Sequence, residues 1–119
     1  MAGTEFAVLQ RRFDFTKWLL EHTQRFPKSL RFSLAVRIEN RMLAVLEQVV
    51  VANRRLEKLP HLRQADESLE ALRILVRLSH AMRLLPTNSY EFAAKEMDAL
   101  GKLLGGWMRQ QKSAAPKRG

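Results

Sequence analysis

The chain has 119 residues, of which 46% are hydrophobic, enough for one domain with a core but too few for two. Its 21 Lys and Arg residues against 12 Asp and Glu residues give a formal net charge of +9, which is typical of proteins that bind polyanions. Because the sequence contains no cysteine, it can form neither disulfides nor thiolate metal sites. The sequence shows neither a signal-peptide pattern nor the roughly 18-residue apolar run of a membrane helix. We therefore expect a cytoplasmic protein whose first candidate partner is nucleic acid.

Three prolines, Pro27, Pro60 and Pro86, lie between long stretches of helix-forming residues. Because proline in a helix interior removes a backbone donor and clashes with the preceding turn, each proline marks a break. We predict four helices, at residues 5–25, 29–57, 61–84 (or 66–84) and 88–111. Strand-like alternation is absent, and the short connections favour antiparallel neighbours. The sequence thus predicts an all-α, up-down-up-down antiparallel four-helix bundle over residues 1–111, followed by a basic, disordered C-terminal tail over residues 112–119.

The second predicted helix carries two apolar stripes. At about 100° per residue, the first stripe is the core-facing one. It consists of Leu34, Ile38, Met42, Val45, Val49, Ala52 and Leu56. The second stripe consists of Val36, Leu43, Leu46 and Val50, and Leu19 belongs to a similar second stripe on the first helix. A small domain rarely leaves such stripes in water, so we predict a homo-oligomer interface there. The alternative is that both helices are central and bury these stripes within one subunit.

Near the chain's end, the fourth predicted helix contains closely spaced glycines. Gly101 and Gly105 put bare backbone where another helix could approach, and Trp107 follows as a large anchor. Each glycine costs roughly 1 kcal/mol relative to alanine in a helix, so a close contact should offset that cost. We predict close helix packing or a subunit contact at the glycines, with Trp107 as a core or interface anchor, and we assign Gly101, Gly105 and Trp107 to the predicted oligomer interface.

Basic residues are concentrated in windows that contain no acid. These windows run between Glu21 and Glu39, between Glu70 and Glu91, and after Asp98. In the predicted bundle, the first two windows meet at one end of the molecule. Arg73 and Arg77 lie one turn apart on the third helix, where two guanidinium groups could grip adjacent phosphates. The predicted nucleic-acid-binding residues are Arg25, Lys28, Arg31, Arg37, Arg41, Arg73, Arg77 and Arg83. The alternative for the third helix is a solvated face on which Glu70 pairs with Arg73.

Nothing in the sequence indicates catalysis. The three histidines, His22, His61 and His80, are scattered, and no nucleophile or metal-ligand motif accompanies them. We therefore predict a protein that is not an enzyme, with no metal, cofactor or catalytic residue. Two other classes stay open, a basic helical protein on an anionic membrane surface and an adaptor that holds a partner protein through its second apolar face.

Three segments together carry a resemblance to a known family. They are Phe26-Pro27 after the first helix, the segment from Leu72-Arg73 to Arg77-Leu78, and the Leu-Gly-Gly-Trp-Met-Arg sequence at residues 104–109. On these segments, within about residues 6–109, the chain resembles the four-helix-bundle family that contains the accessory variability determinants of diversity-generating retroelements. The same family includes proteins encoded in ribosomal-RNA intervening sequences.

The resemblance implies a pentameric barrel of bundles with a basic surface that binds DNA, RNA or their hybrid with little sequence preference. It also implies association with the retroelement's reverse transcriptase, in support of mutagenic complementary-DNA synthesis and retrohoming. The residues that match the family's helix-three arginines are Arg73 and Arg77. The large basic excess favours the retroelement branch, and a protein of the intervening-sequence type is the alternative.

Overall fold

The computed structural model describes residues 3–114, with side chains from residue 9 onward. Within these residues the chain is helical and contains no strand. The first helix, α1, spans Gly3–Thr23. The second, α2, covers residues 28–54 and consists of a turn at Lys28–Leu30, a π-helical segment at Arg31–Ala35 and a regular helix at Val36–Arg54. The third, α3, spans Leu59–Ala81, and the fourth, α4, spans Thr87–Ala114. In this part of the chain no helix is both long and apolar enough to cross a membrane.

The four predicted helices are confirmed, with ends that shift by a few residues. Pro60 lies inside the first turn of α3 and not in a connection. Proline is tolerated there because the backbone N–H groups of a first helical turn have no partner within the helix. At the other end of the chain, α4 continues through residues 112–114, and the rest of the predicted tail lies outside the described residues.

Contacts between particular residues establish an antiparallel order. His61 at the start of α3 lies 2.9 Å from the Gln48 side chain near the end of α2. His80 at the end of α3 stacks on Tyr90 at the start of α4. Helix α3 packs against α2 and α4, while α1 packs against α2 and, less extensively, α4. The result is a four-helix bundle in which α1 and α3 are diagonally opposed.

A single apolar core runs along the bundle axis. Its fully buried members include Leu19, Ile38, Met42, Val45, Leu62, Leu69, Leu72, Val76 and Leu104. The predicted core stripe of α2 is confirmed from Leu34 through Ala52. Leu56 is the exception, because α2 ends at Arg54 and leaves the Leu56 side chain fully exposed.

The first turns of α2 depart from regular helix geometry. The backbone N–H of Val36 donates to the carbonyl of Arg31, five residues earlier, as in a π-helix. A π turn holds one more residue than an α-helical turn. The residues before it are therefore rotated by about 100° from the positions that an uninterrupted α-helix would give them. Leu34 and Ala35 nevertheless stay buried. The π turn therefore changes the face on which the first residues of α2 lie, while Leu34 and Ala35 keep their places in the core.

Candidate nucleic-acid interface

One end of the bundle collects basic side chains, because the antiparallel order brings the ends of α1 and α3 beside the starts of α2 and α4. We name the following five residues the basic end: Arg25, Lys28, Arg31, Arg37 and Arg83. All five are exposed. Among the side chains that the structure describes, none of the five takes part in an ion pair. The basic end is thus a cationic surface on which none of the five charges is in direct contact with an acid among the described side chains.

The acid nearest in sequence to this surface bonds to a hydroxyl group and to none of the five cations. Glu39 on α2 is half-buried, and its Oε2 accepts a hydrogen bond of 2.6 Å from Thr23 Oγ1 at the end of α1. On the same side of the bundle, Arg31 Nη2 donates to the carbonyl oxygen of Gln24 at 3.2 Å. These two contacts join α1 to α2 across their connection, and they fix the basic end to the rigid part of the fold.

Arg83 has an unusual backbone conformation. Its φ is 64°, and it is the only residue other than glycine with a positive φ in the described part of the chain. Its N–H donates to the carbonyl of His80, and the N–H of Leu84 donates to that of Ser79. This is the Schellman motif that ends many helices, with Arg83 at the left-handed position that glycine usually occupies. A charged side chain thus stands where the backbone alone would favour glycine.

Arg73 and Arg77 do not form the predicted exposed pair that could bind adjacent phosphates. Arg73 Nη1 lies 2.6 Å from Asp98 Oδ1 on α4, and Arg73 Nη2 donates to the carbonyl of Met97 at 3.2 Å. Its Nε lies 3.3 Å from a Glu70 carboxylate oxygen. The expectation of an acid-free environment is therefore wrong for Arg73, which links α3 to α4, and the alternative Glu70–Arg73 contact is present. Arg77 is exposed and outside the ion pairs among described side chains.

Gly101 has a role inside the subunit. A Cβ atom at this position would lie 2.5 Å from Arg73 Nη2, so the bare backbone of α4 leaves room for the Arg73 side chain. This contact agrees with the predicted alternative of close helix packing at Gly101, and its part in an oligomer interface stays a prediction. At Gly105 a Cβ would meet only Arg109 Nη1, at 3.5 Å, which is an ordinary contact. The interface role of Gly105 therefore stays a prediction.

The remaining predicted interface residues divide into a buried and an exposed group. Leu19 is fully buried in the core of its own subunit, so its assignment to the interface is wrong. Val36, Leu43 and Val50 are 36%, 37% and 45% exposed, and they follow one another at intervals of two helical turns along α2. Leu46 is half-buried beside them, and Trp107 of α4 is partly buried against the core. The exposed group forms an apolar stripe on the outside of α2.

Arg41 lies farther along α2 than the basic end, and it is exposed like Arg37. It takes part in none of the ion pairs among the described side chains. Arg41 therefore extends the cationic surface away from the end of the bundle, along the flank of α2.

One buried arginine was not predicted from the sequence. Arg12 on α1 is 5% exposed, and its Nε has no hydrogen-bond partner. Burial lowers the pKa of Arg12 to about 10, whereas the two hydrogen bonds that its neighbour Arg11 donates to the Glu96 carboxylate raise the pKa of Arg11. Arg12 lines an apolar groove of about 400 Å³ between α1, α2 and α4, beside Trp107. Its position three residues before Phe15 and seven before Leu19 was the available signal, because that spacing places it on the core-facing side of α1.

Comparison with known protein families supplies independent information. A family model described as bAvd-like matches residues 6–111, most of the chain. A search of curated proteins gives no match. The matched range includes the whole basic end, Arg73 with its ion pairs, and the glycines of α4.

Proposed function

Because the chain belongs to the bAvd-like family, we propose that it is a non-catalytic accessory protein of a diversity-generating retroelement. In this proposal it binds DNA, RNA or their hybrid through its basic end and associates in the cytoplasm with the element's reverse transcriptase. It thereby supports mutagenic complementary-DNA synthesis and retrohoming.

The observation that carries the nucleic-acid part is the group of exposed cations at the basic end. Five exposed cations lie there outside the described ion pairs, and Glu39 is bonded to Thr23. Phosphate is the ligand that such a surface favours, since each neutralised phosphate releases counterions. Contacts to phosphate carry no base identity, so binding should be similar for unrelated sequences.

Charge removal at the basic end tests this proposal. The variant combines Arg25→Ala, Lys28→Ala and Arg31→Ala, and binding to duplex DNA, RNA–DNA hybrid and structured RNA is measured at several salt concentrations. We expect the slope of log affinity against log salt on duplex DNA to fall by about three, at about 0.9 per phosphate contact. Circular dichroism checks that helicity is unchanged.

A matched control removes the same charge from the opposite end of the bundle. Arg55, Arg63 and Lys112 are also exposed and outside the described ion pairs. Their combined alanine variant should keep nearly wild-type affinity. If both triple variants lose affinity equally, net charge alone drives binding and the basic end is not the site. Binding to anionic vesicles but to no nucleic acid would contradict the proposal outright.

Association with the reverse transcriptase is proposed on family membership alone. Co-expression with a reverse transcriptase of a diversity-generating retroelement, followed by affinity purification, tests it. We expect the two proteins to elute together after nuclease treatment. Loss of the complex on nuclease treatment would mean that nucleic acid bridges the two proteins without direct contact.

We also propose that the chain forms a homo-oligomer, a pentamer if it follows the family resemblance. The support is the exposed apolar stripe of Val36, Leu43 and Val50, with Leu46 beside it. A stripe of this kind is a candidate for burial between subunits.

A further inference from the structure

Phe32 is the most exposed aromatic side chain among those that the structure describes, at 88%. It lies in the π-helical segment of α2, within the acid-free window between Glu21 and Glu39. Lys28 precedes it by four residues and Arg37 follows it by five, and both are exposed. The proposed function uses these cations but gives Phe32 no role.

The π turn accounts for the outward position of Phe32. In a regular helix, residue 32 would fall close in angle to Leu43 and Val50, at about 100° per residue, and so would extend the apolar stripe of α2. The additional residue in the π turn moves it about 100° around the helix, away from that stripe. Phe32 is therefore exposed on a different face of α2 from the apolar stripe.

Two cations of the basic end lie in the turns on either side of Phe32. Lys28 belongs to the preceding turn, in which the N–H of Leu30 donates to the Pro27 carbonyl and the N–H of Arg31 donates to the Lys28 carbonyl. Across the π turn the spacing between neighbours is five, as in the hydrogen bond from Val36 to Arg31, which places Arg37 one turn after Phe32. The exposed ring thus lies between an exposed cation of the preceding turn and one of the following turn.

We propose that an unpaired nucleobase stacks on the Phe32 ring while Lys28 and Arg37 bind the phosphates on either side of that base. This inference rests on the proposed function and specifies its ligand as single-stranded DNA or RNA. Aromatic rings beside cationic grooves bind single strands in this way, because every base presents a flat face and the backbone presents phosphates. Bases inside a duplex are already stacked on one another, so the same ring adds little to duplex binding.

The test compares Phe32→Leu and Phe32→Ala with the wild-type protein on three ligands of equal length. These are a single strand, the same strand with abasic sites along its middle, and the duplex. Loss of one stacked base should weaken single-strand binding by about 5- to 150-fold. Duplex binding should stay within about twofold, and the wild-type preference for the intact strand over the abasic strand should disappear in both variants.

Two further variants keep the test specific. Phe32→Trp retains a flat ring and should restore single-strand binding, and Leu56→Ala removes an exposed apolar side chain from the α2–α3 connection and should change nothing. Equal losses on single strand and duplex, or none, would overturn the stacking role. A loss confined to anionic vesicles would assign Phe32 to a membrane surface instead. A wild-type protein that binds no nucleic acid at all would contradict the proposed function itself. A protein that binds duplex and single strand equally well, with or without Phe32, would contradict only the stacking role.

Discussion

Replacing Arg83 by glycine should stabilise the fold while weakening nucleic-acid binding. Arg83 has a φ of 64° at the end of α3. For a residue with a Cβ atom this left-handed conformation costs about 1–2 kcal/mol, and glycine avoids that cost. Glycine in turn loses more backbone freedom on folding, which offsets about 0.5–1 kcal/mol of the gain. The net expectation is a free energy of unfolding higher by about 0.5–1 kcal/mol, or a Tm higher by about 2–5 °C.

The assay is thermal unfolding followed by circular dichroism, with Arg83→Ala measured beside Arg83→Gly. Both variants lack the charge, so the difference between them reports the backbone conformation alone. Arg83→Ala should melt below Arg83→Gly. In salt-dependent binding to duplex DNA, both variants should lose one phosphate contact, which lowers the log–log slope by about 0.9.

Two outcomes would refute this reasoning. If Arg83→Gly melts at or below the temperature of Arg83→Ala, the left-handed conformation does not limit stability. If both variants retain the wild-type affinity and salt slope, the Arg83 side chain does not contact phosphate, and the charge at this position needs another explanation.

Two other substitutions test packing. Gly105→Ala should raise the free energy of unfolding by about 1 kcal/mol through helix propensity, whereas Gly101→Ala should gain much less, because its methyl group displaces Arg73 from Asp98. In chemical denaturation, an equal gain at both positions would show that Arg73 gives way without loss. Leu43→Lys places a charge in the apolar stripe of α2, and light scattering should show a smaller particle with unchanged helicity, since a charge buried between subunits lacks a partner. A wild-type protein that is already monomeric would contradict the proposed oligomer.

Helix number and order could be predicted from the sequence because they depend on local signals. Pro27 and Pro86 marked two of the connections and Pro60 marked the first turn of α3, while the 100° periodicity of α2 identified its core stripe from Leu34 to Ala52. The prediction failed at Leu56, where the helix had already ended at Arg54. Helix ends depend on capping and tertiary contacts, which a periodic pattern does not contain.

The charge pattern was less informative about individual side chains. Arg73 lies in a window without acids along the chain, yet its partner Asp98 is 25 residues away on α4. Such a pairing depends on how two helices face each other, and a list of charges along the chain omits that. The prediction for Leu19 was wrong because a small error in helical phase is enough to exchange the outer face of α1 for its core face.

The π turn also bears on how this family could change by single insertions and deletions. Deleting Ser33 from the π turn would leave a regular helix and keep the buried Leu34 and Ala35, because the turns from Val36 onward keep their places. Phe32 and Arg37 would then be four residues apart in place of five, and each spacing corresponds to about one turn, four in an α-helix and five in a π turn. The π turn therefore accommodates one additional residue of sequence while the ring of Phe32 and the core residues of α2 keep the faces that they occupy.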